Sequence, residues 1–263
     1  MSRPIFKVDS FTDRAFAGNP AGVCLLDAAR SEAWMQSVAA EMNVAETAFL
    51  VPRGEVFDLR WFTPTVEVDL CGHATLASAH VLWEEKILAP DVPAQFSTRS
   101  GMLTAVQERG SIVLDFPAEP PEETAAPVDL AKAIGAPLAY CGRNRMDYLV
   151  EVADEATVRG VHPAPSALLP YPCRGVIVTA RAANGEFDFV SRFFAPAAGV
   201  DEDPVTGSAH CALGPYWAGK LGRSSLTGYQ ASARGGIVKV RVEGDRVRLI
   251  GKAVTVLRGT LVV

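Results

Sequence analysis

Two stretches of this chain repeat one another. Arg60 to Ala79 reads RWFTPTVEVDLCGHATLASA, and Arg192 to Leu213 reads RFFAPAAGVDEDPVTGSAHCAL. Each runs Arg, two aromatics, one residue, Pro, an acidic segment, a Gly and then small residues in helical spacing. The Arg-to-Gly interval is twelve residues in the first copy (60 to 72) and fifteen in the second (192 to 207), so three extra residues in the acidic segment reconcile them. Such a repeat constrains the chain to two similar domains, each with a strand that ends near a Gly opening a helix. Between the copies lies PAEPPEETAAP, Pro117 to Pro127, rich in Pro and Glu and poor in apolar residues, which reads as a linker. The expected division is 1–117, a linker at 118–126, and 127–263, with the terminal strands free to pack back on the first domain.

Around the repeat, helical and strand patterns alternate. IFKVDSF, ETAFLV and FDLRWF read as strands, SEAWMQSVAAEM as a Ser-capped helix and HATLASAHVLWEEK as a second helix. The C-terminal GIVKVRVEGDRVRLIGKAVTVLRGTLVV shows period-two strands separated by Gly turns. Pro215, inside the second apolar helical pattern, should kink or shorten that helix.

Composition removes several classes of function. With 49% hydrophobic and 21% charged residues, the 263-residue chain has the make-up of a soluble globular protein. Its formal charge of −5 includes no basic block, so neither nucleic acid nor an anionic membrane is an expected partner. The five cysteines are scattered and lack CxxC spacing, which fits reduced thiols in the cytoplasm rather than a disulfide framework or a zinc knuckle. MSRPIFKVDSFTD lacks the apolar run of a signal segment, so export is not expected either. Dinucleotide, phosphate-loop, zinc-protease and esterase-elbow signatures are all missing. Cofactor-free acid/base chemistry is what these exclusions leave.

The residues that could carry it cluster at the repeat. Gly72 and Gly207 open helices whose first N–H groups have no internal partner, so each can hold a carboxylate or oxyanion, although a Gly there also permits close strand–helix packing. His73 and Ser208 follow these glycines at matching places and could donate to a substrate oxygen; a surface His and a helix cap are the competing readings. Asp203 precedes a Pro, is therefore extended, and can receive a helix-start N–H or orient a His; a helix cap is the competing reading. Asp201 and Glu202 read as solvated neighbours. Glu46, in NVAETAFLV, shares a strand face with Ala48 and Leu50, and partial desolvation there would raise its pKa toward the range useful for proton transfer. Cys71 could be a thiolate activated by the helix start, with Thr206 at the matching place in the second copy. His73 and His80 lie seven apart without a third ligand, so no metal site is expected.

VDSFTDRAFAGNPAGVCLL, MNVAETAFL, LRWFTPTVEVDLCGHATLASAHVLW and DEDPVTGSAHCAL together resemble the PhzF-like family, named for the phenazine-biosynthesis isomerase. The resemblance spans nearly the whole chain. It implies an α+β, diaminopimelate-epimerase-like fold of two similar domains, each a barrel-like sheet around a central helix, with the active site in the cleft between them. It also implies a cofactor-independent isomerase of a small carboxylate, with Glu46 as acid/base and His73, Asp203 and Ser208 as polar helpers. Gly72 and Gly207, with Cys71 and Thr206 beside them, would bind the substrate, and a homodimer is an assembly to test for. Cys71 departs from the phenazine enzyme's pattern and resembles the two-thiol racemases at that place. An amino-acid racemase or epimerase using Cys71, and a non-catalytic binding protein on the same fold, therefore stay open.

Overall fold

The computed structural model describes residues 3–263. The chain forms two compact units, one made of residues 1–115 and 250–263, the other of residues 116–249.

Unit 1 contains β1 (Arg3–Ser10), β2 (Asn19–Leu25), α1 (Glu32–Met42), β3 (Glu46–Arg53), β4 (Val56–Phe62), β5 (Glu67–Val68), α2 (Gly72–Glu84), β6 (Ala94–Thr98), β7 (Gly101–Glu108) and β8 (Ser111–Pro117), the last leading into unit 2. Unit 2 continues with β9 (Glu122–Glu123), α3 (Leu130–Ile134), β10 (Tyr140–Arg143), β11 (Asp147–Glu151), α4 (Glu155–Gly160), α5 (Pro165–Leu168), β12 (Gly175–Arg181) and β13 (Phe189–Ala195). It ends with β14 (Val200–Asp203), α6 (Gly207–Leu221), β15 (Ser225–Gln230), β16 (Gly236–Glu243) and β17 (Arg246–Gly251), before β18 (Ala253–Leu261) returns to unit 1.

The same succession of strand pairings builds both units. In unit 1, β1–β2 is antiparallel, β2–β3 parallel, β3–β4 and β4–β5 antiparallel, β4–β6 parallel and β6–β7 antiparallel. In unit 2, β10–β11, β11–β12, β12–β13, β13–β14, β13–β15 and β15–β16 follow in the same order and the same directions. Mixed sheets of this kind, with parallel steps bridged by crossovers, define an α+β chain rather than a doubly wound one. β4 thus corresponds to β13, β5 to β14 and α2 to α6.

Each sheet has a central helix. In α2, His73 through Ala79 and Val81 through Trp83 are buried, and the helix packs against β1, β2, β3, β7 and β18. Burial all round explains why its sequence shows no polar stripe, and the Ala, Ser and Gly side chains let the strands approach. On the outer face, α1 starts at Ser31, whose Oγ accepts from Trp34 N–H at 3.3 Å, and lays Met35, Val38 and Ala39 against Phe49 and Phe62.

In α6, Gly214 lets β16 come close: a Cβ there would lie 2.6 Å from Val240 Cγ1. Pro215 neither shortens the helix nor leaves its turn unsatisfied. α6 has 15 residues against 13 in α2. A proline cannot donate to the carbonyl four residues back, and that carbonyl, Cys211 O, accepts instead from Glu119 N–H at 3.0 Å.

Glu119 belongs to the segment 118–126, read from composition as a linker. Ala118 N–H bonds Asp245 O, Glu122–Glu123 pair with Gly142 and Arg143, and Thr124 N–H bonds Cys141 O. The segment is therefore a stitched edge of unit 2, and the boundary falls at 115/116. Pro and Glu at 117–123 reflect its exposure, not freedom of the backbone. Residues 250–263 belong to unit 1, the packing back that the expected division allowed for. No helix among the described residues is long and apolar enough to cross a membrane.

Candidate functional site

In unit 1, β3 begins at Glu46, which lies beside Ala21 of the parallel strand β2. Its side chain is 18% exposed while the next four residues are buried on both faces of the sheet. Glu46 Oε2 stands 3.2 Å from Nε2 of His73, the second residue of α2. His73 Nε2 completes no hydrogen bond among the described residues, so the pair is within reach but not aligned.

On the other side of the ring, Asn19 Nδ2 lies 3.2 Å and Cys71 Sγ 3.5 Å from Nδ1. Ser10 Oγ donates to the His73 carbonyl at 2.8 Å. Burial drives the His73 pKa down to about 3, so the ring is neutral near physiological pH and its contact with Glu46 is not an ion pair. Cys71 occupies the N-cap in extended conformation without a side-chain cap bond, and Thr75 Oγ1 bonds its carbonyl at 2.5 Å.

Glu46, Cys71 and His73 offer donor atoms within 4.8 Å of one another. The thiol, however, faces Nδ1 and the carboxylate faces Nε2. His80 takes no part: its Nε2 lies 3.1 Å from Thr255 Oγ1 and 3.5 Å from Glu84 Oε2.

Unit 2 repeats the strand–loop–helix step with different chemistry. Thr206 is the extended N-cap of α6, at the place held by Cys71 in unit 1. Its hydroxyl donates to Asp203 Oδ2, so Asp203 orients Thr206. Gln230, on β15, ties the loop together: its Oε1 accepts from Thr206 N–H at 2.9 Å and its Nε2 donates to Asp203 O at 2.7 Å. Gly207 and half-buried Ser208 are the first two helical residues, matching Gly72 and His73. His210 lies deeper, with Nδ1 2.8 Å from Thr206 O and a pKa lowered by burial to about 4.

The repeat's arginines have a defined task. Arg60 on β4 holds Glu67 on β5 through Nε (2.6 Å) and Nη2 (2.5 Å), and Arg192 on β13 holds Glu202 on β14 through Nε (2.7 Å) and Nη2 (2.9 Å). Glu202, read from sequence as solvated, is thus clamped; both acids lie five residues before a helix-opening Gly.

Sequence reading found the residues of each group that lie in the repeat and missed Asn19, Ser10 and Gln230. Asn19 stands in GNP, a turn-like tripeptide, and Gln230 in a strand without any motif. Only the sheet pairings bring them to the helix starts. A separate cavity of about 680 Å³ in unit 2, lined by Val128, Lys132, His162 and Tyr171 among others, holds none of these groups.

Known proteins resemble this chain over its whole length. The chain is 53% identical over 262 residues, 99% of each chain, to a Halalkalibacterium halodurans protein named an uncharacterized isomerase. A crystal structure of a PhzF-family phenazine biosynthesis protein from Enterococcus faecalis matches with a TM-score of 0.96 at 40% identity, covering all of both chains. A probable proline racemase from Agrobacterium radiobacter shares the fold alone, with a TM-score of 0.66 at 11% identity over 99% of this chain and 93% of that one. The fold is therefore the diaminopimelate-epimerase-like α+β type. The phenazine biosynthesis-like (PhzC-PhzF) family model matches residues 8–259, and this chain belongs to that family.

Proposed function

We propose that this protein is a cofactor-independent isomerase that moves a proton between two carbons of a small, amino-acid-like carboxylate. The observation that carries the reading is the carboxylate of Glu46 standing 3.2 Å from the buried, neutral imidazole of His73 at the mouth of α2. A carboxylate at the edge of an apolar strand is a base whose proton affinity its surroundings can adjust, and an adjacent imidazole can orient it and share its proton. That close relatives are named isomerases also supports the reading.

In the proposed step Glu46 takes a proton from a substrate carbon. The C–H electron pair enters the substrate's conjugated system, and the double bond shifts. Glu46-COOH then returns the proton to a second carbon. Atoms and oxidation level are unchanged, so no redox partner is required. In unit 1, Gly72 has no Cβ, so a substrate oxygen can approach the N–H groups heading α2 closely.

Incubation in D2O with a dihydro-hydroxyanthranilate and a panel of amino acids, followed by NMR, tests the reading. Deuterium should enter one class of substrate carbon. Glu46→Gln keeps size but cannot accept the proton, so exchange should fall by about 10² to 10⁴ while binding survives. Exchange by the Gln variant at the wild-type rate would remove Glu46 as the base.

A further inference from the structure

Ser10 and Asn19 are cross-strand partners at the loop end of the β1–β2 ladder. Both are fully buried, and both side chains reach the same residue, Ser10 the carbonyl and Asn19 the ring of His73. The backbone around Asn19 is tightly determined. Pro20 follows it and keeps it extended. Gly18 precedes it at φ +66°, where a Cβ would fall 2.1 Å from Ser10 O, so only glycine allows this approach. A buried amide held this firmly against an imidazole limits which of its tautomers can exist.

We infer that Asn19 is a positioning residue that fixes His73 as its Nε2–H tautomer, with that N–H turned toward Glu46. The two sides of the ring require the same answer. A carboxylate has only acceptors, so the ring atom facing Glu46 must carry hydrogen. In a neutral imidazole Nδ1 must then accept, and the groups beside it, the Asn19 amide nitrogen and the Cys71 thiol, can both donate. The opposite tautomer would turn a lone pair on the Glu46 carboxylate. In this tautomer His73 presents a donor to the Glu46 carboxylate and orients it as the proposed base. Only that role as base rests on the proposed function; the tautomer does not.

The test reads the ring directly. The full chain is labelled with nitrogen-15 and the imidazole nitrogens are observed by long-range proton–nitrogen correlation near neutral pH, with His73→Gln identifying the relevant signals. Wild type should show a protonated Nε2 and a bare Nδ1 at His73. Asn19→Asp replaces the donor with an acceptor and should move hydrogen onto Nδ1, while substrate deuterium exchange drops about 10²-fold or more in kcat with KM little changed. A bare Nε2 in wild type overturns the inference without need of any variant. So does a folded Asn19→Asp chain with the wild-type pattern. If no substrate exchanges with wild type, the isomerase reading fails while the nitrogen signals still decide the tautomer.

Discussion

Arg192 grips Glu202 with two parallel N–H···O bonds, and in doing so spans β13 and β14 just ahead of α6. The same guanidinium also donates to the carbonyl of Val161. Arg60 and Glu67 form the matching clamp in unit 1, but there Glu67 has a second partner in Arg99, 2.6 Å away. The two clamps should therefore fail differently. Arg192→Ala leaves a largely buried carboxylate without its clamp and should destabilise by about 3 kcal/mol. Arg60→Ala leaves Glu67 paired and should lose about 1 kcal/mol. Urea denaturation of both variants compares them directly, and equal losses would contradict the asymmetry.

Gln230 should prove structural to the site rather than replaceable. Its amide serves Thr206 N–H and Asp203 O together, and Ala at this position strands both inside the protein. Each buried group left unmade costs about 1–3 kcal/mol, so Gln230→Ala should lower stability by more than either contact alone. Gln230→Glu restores the acceptor but not the donor and should recover part of the loss. The measurement is the unfolding midpoint of each variant.

Acid should weaken this protein through its buried histidines. His73 and His210 have pKa values lowered by burial from 6.5 to about 3 and about 4. Below pH 6.5 the unfolded chain binds protons at these rings and the folded chain does not, so stability falls as pH drops from 6.5 toward 4 and is unaffected by them above 6.5. Each ring adds at most about 1.4 kcal/mol per pH unit to that slope. A His210→Gln variant should show a flatter dependence of melting temperature on pH than wild type over this window. An identical slope would mean that His210 takes up its proton equally in the folded and the unfolded chain.

Cys71 faces Nδ1 of His73, the side away from Glu46. If the thiol only packs and donates there, Cys71→Ser should keep deuterium exchange within about tenfold of wild type, whereas loss of a covalent or proton-transferring thiol removes orders of magnitude. Thr206 at the matching place already spends its hydroxyl on Asp203, which argues against a two-base racemase. Collapse of exchange with the fold intact would favour that alternative.

What the sequence made legible was whatever lay close together in it. Cys71, Gly72 and His73 are consecutive, and the repeat aligned them with Thr206, Gly207 and Ser208 before any coordinates did. Glu46 could be suspected from its apolar strand. Asn19 could not, because 54 residues separate it from His73 and only the packing of α2 on β1 and β2 closes the distance. Pro215 misled in the usual direction for a helix interior, since its freed carbonyl finds Glu119 only through tertiary packing. The same bond explains why a Pro- and Glu-rich segment, loose by composition, is fixed in place.

The return of β18 to unit 1 imposes an order on the making of this protein. β1 lies between β2 and β18, with Arg3 opposite Leu261, and the Phe11 amide that opens the loop before Asn19 is held by Lys252 O. A ribosome delivers unit 2 as one unbroken segment, yet it releases β18 only afterwards, so the unit begun first is finished last. Until then β1 presents a bare edge and α2 lacks part of its cover, while closure must join residues from opposite ends of the chain, the slowest kind of contact to form. A nascent chain stalled after unit 2 would already carry Glu46 and His73, but the loop leading to Asn19 would not yet be anchored. Assembly of the group around His73 is thereby coupled to the translation of β18, and a truncated product lacking that strand is not expected to hold it in place.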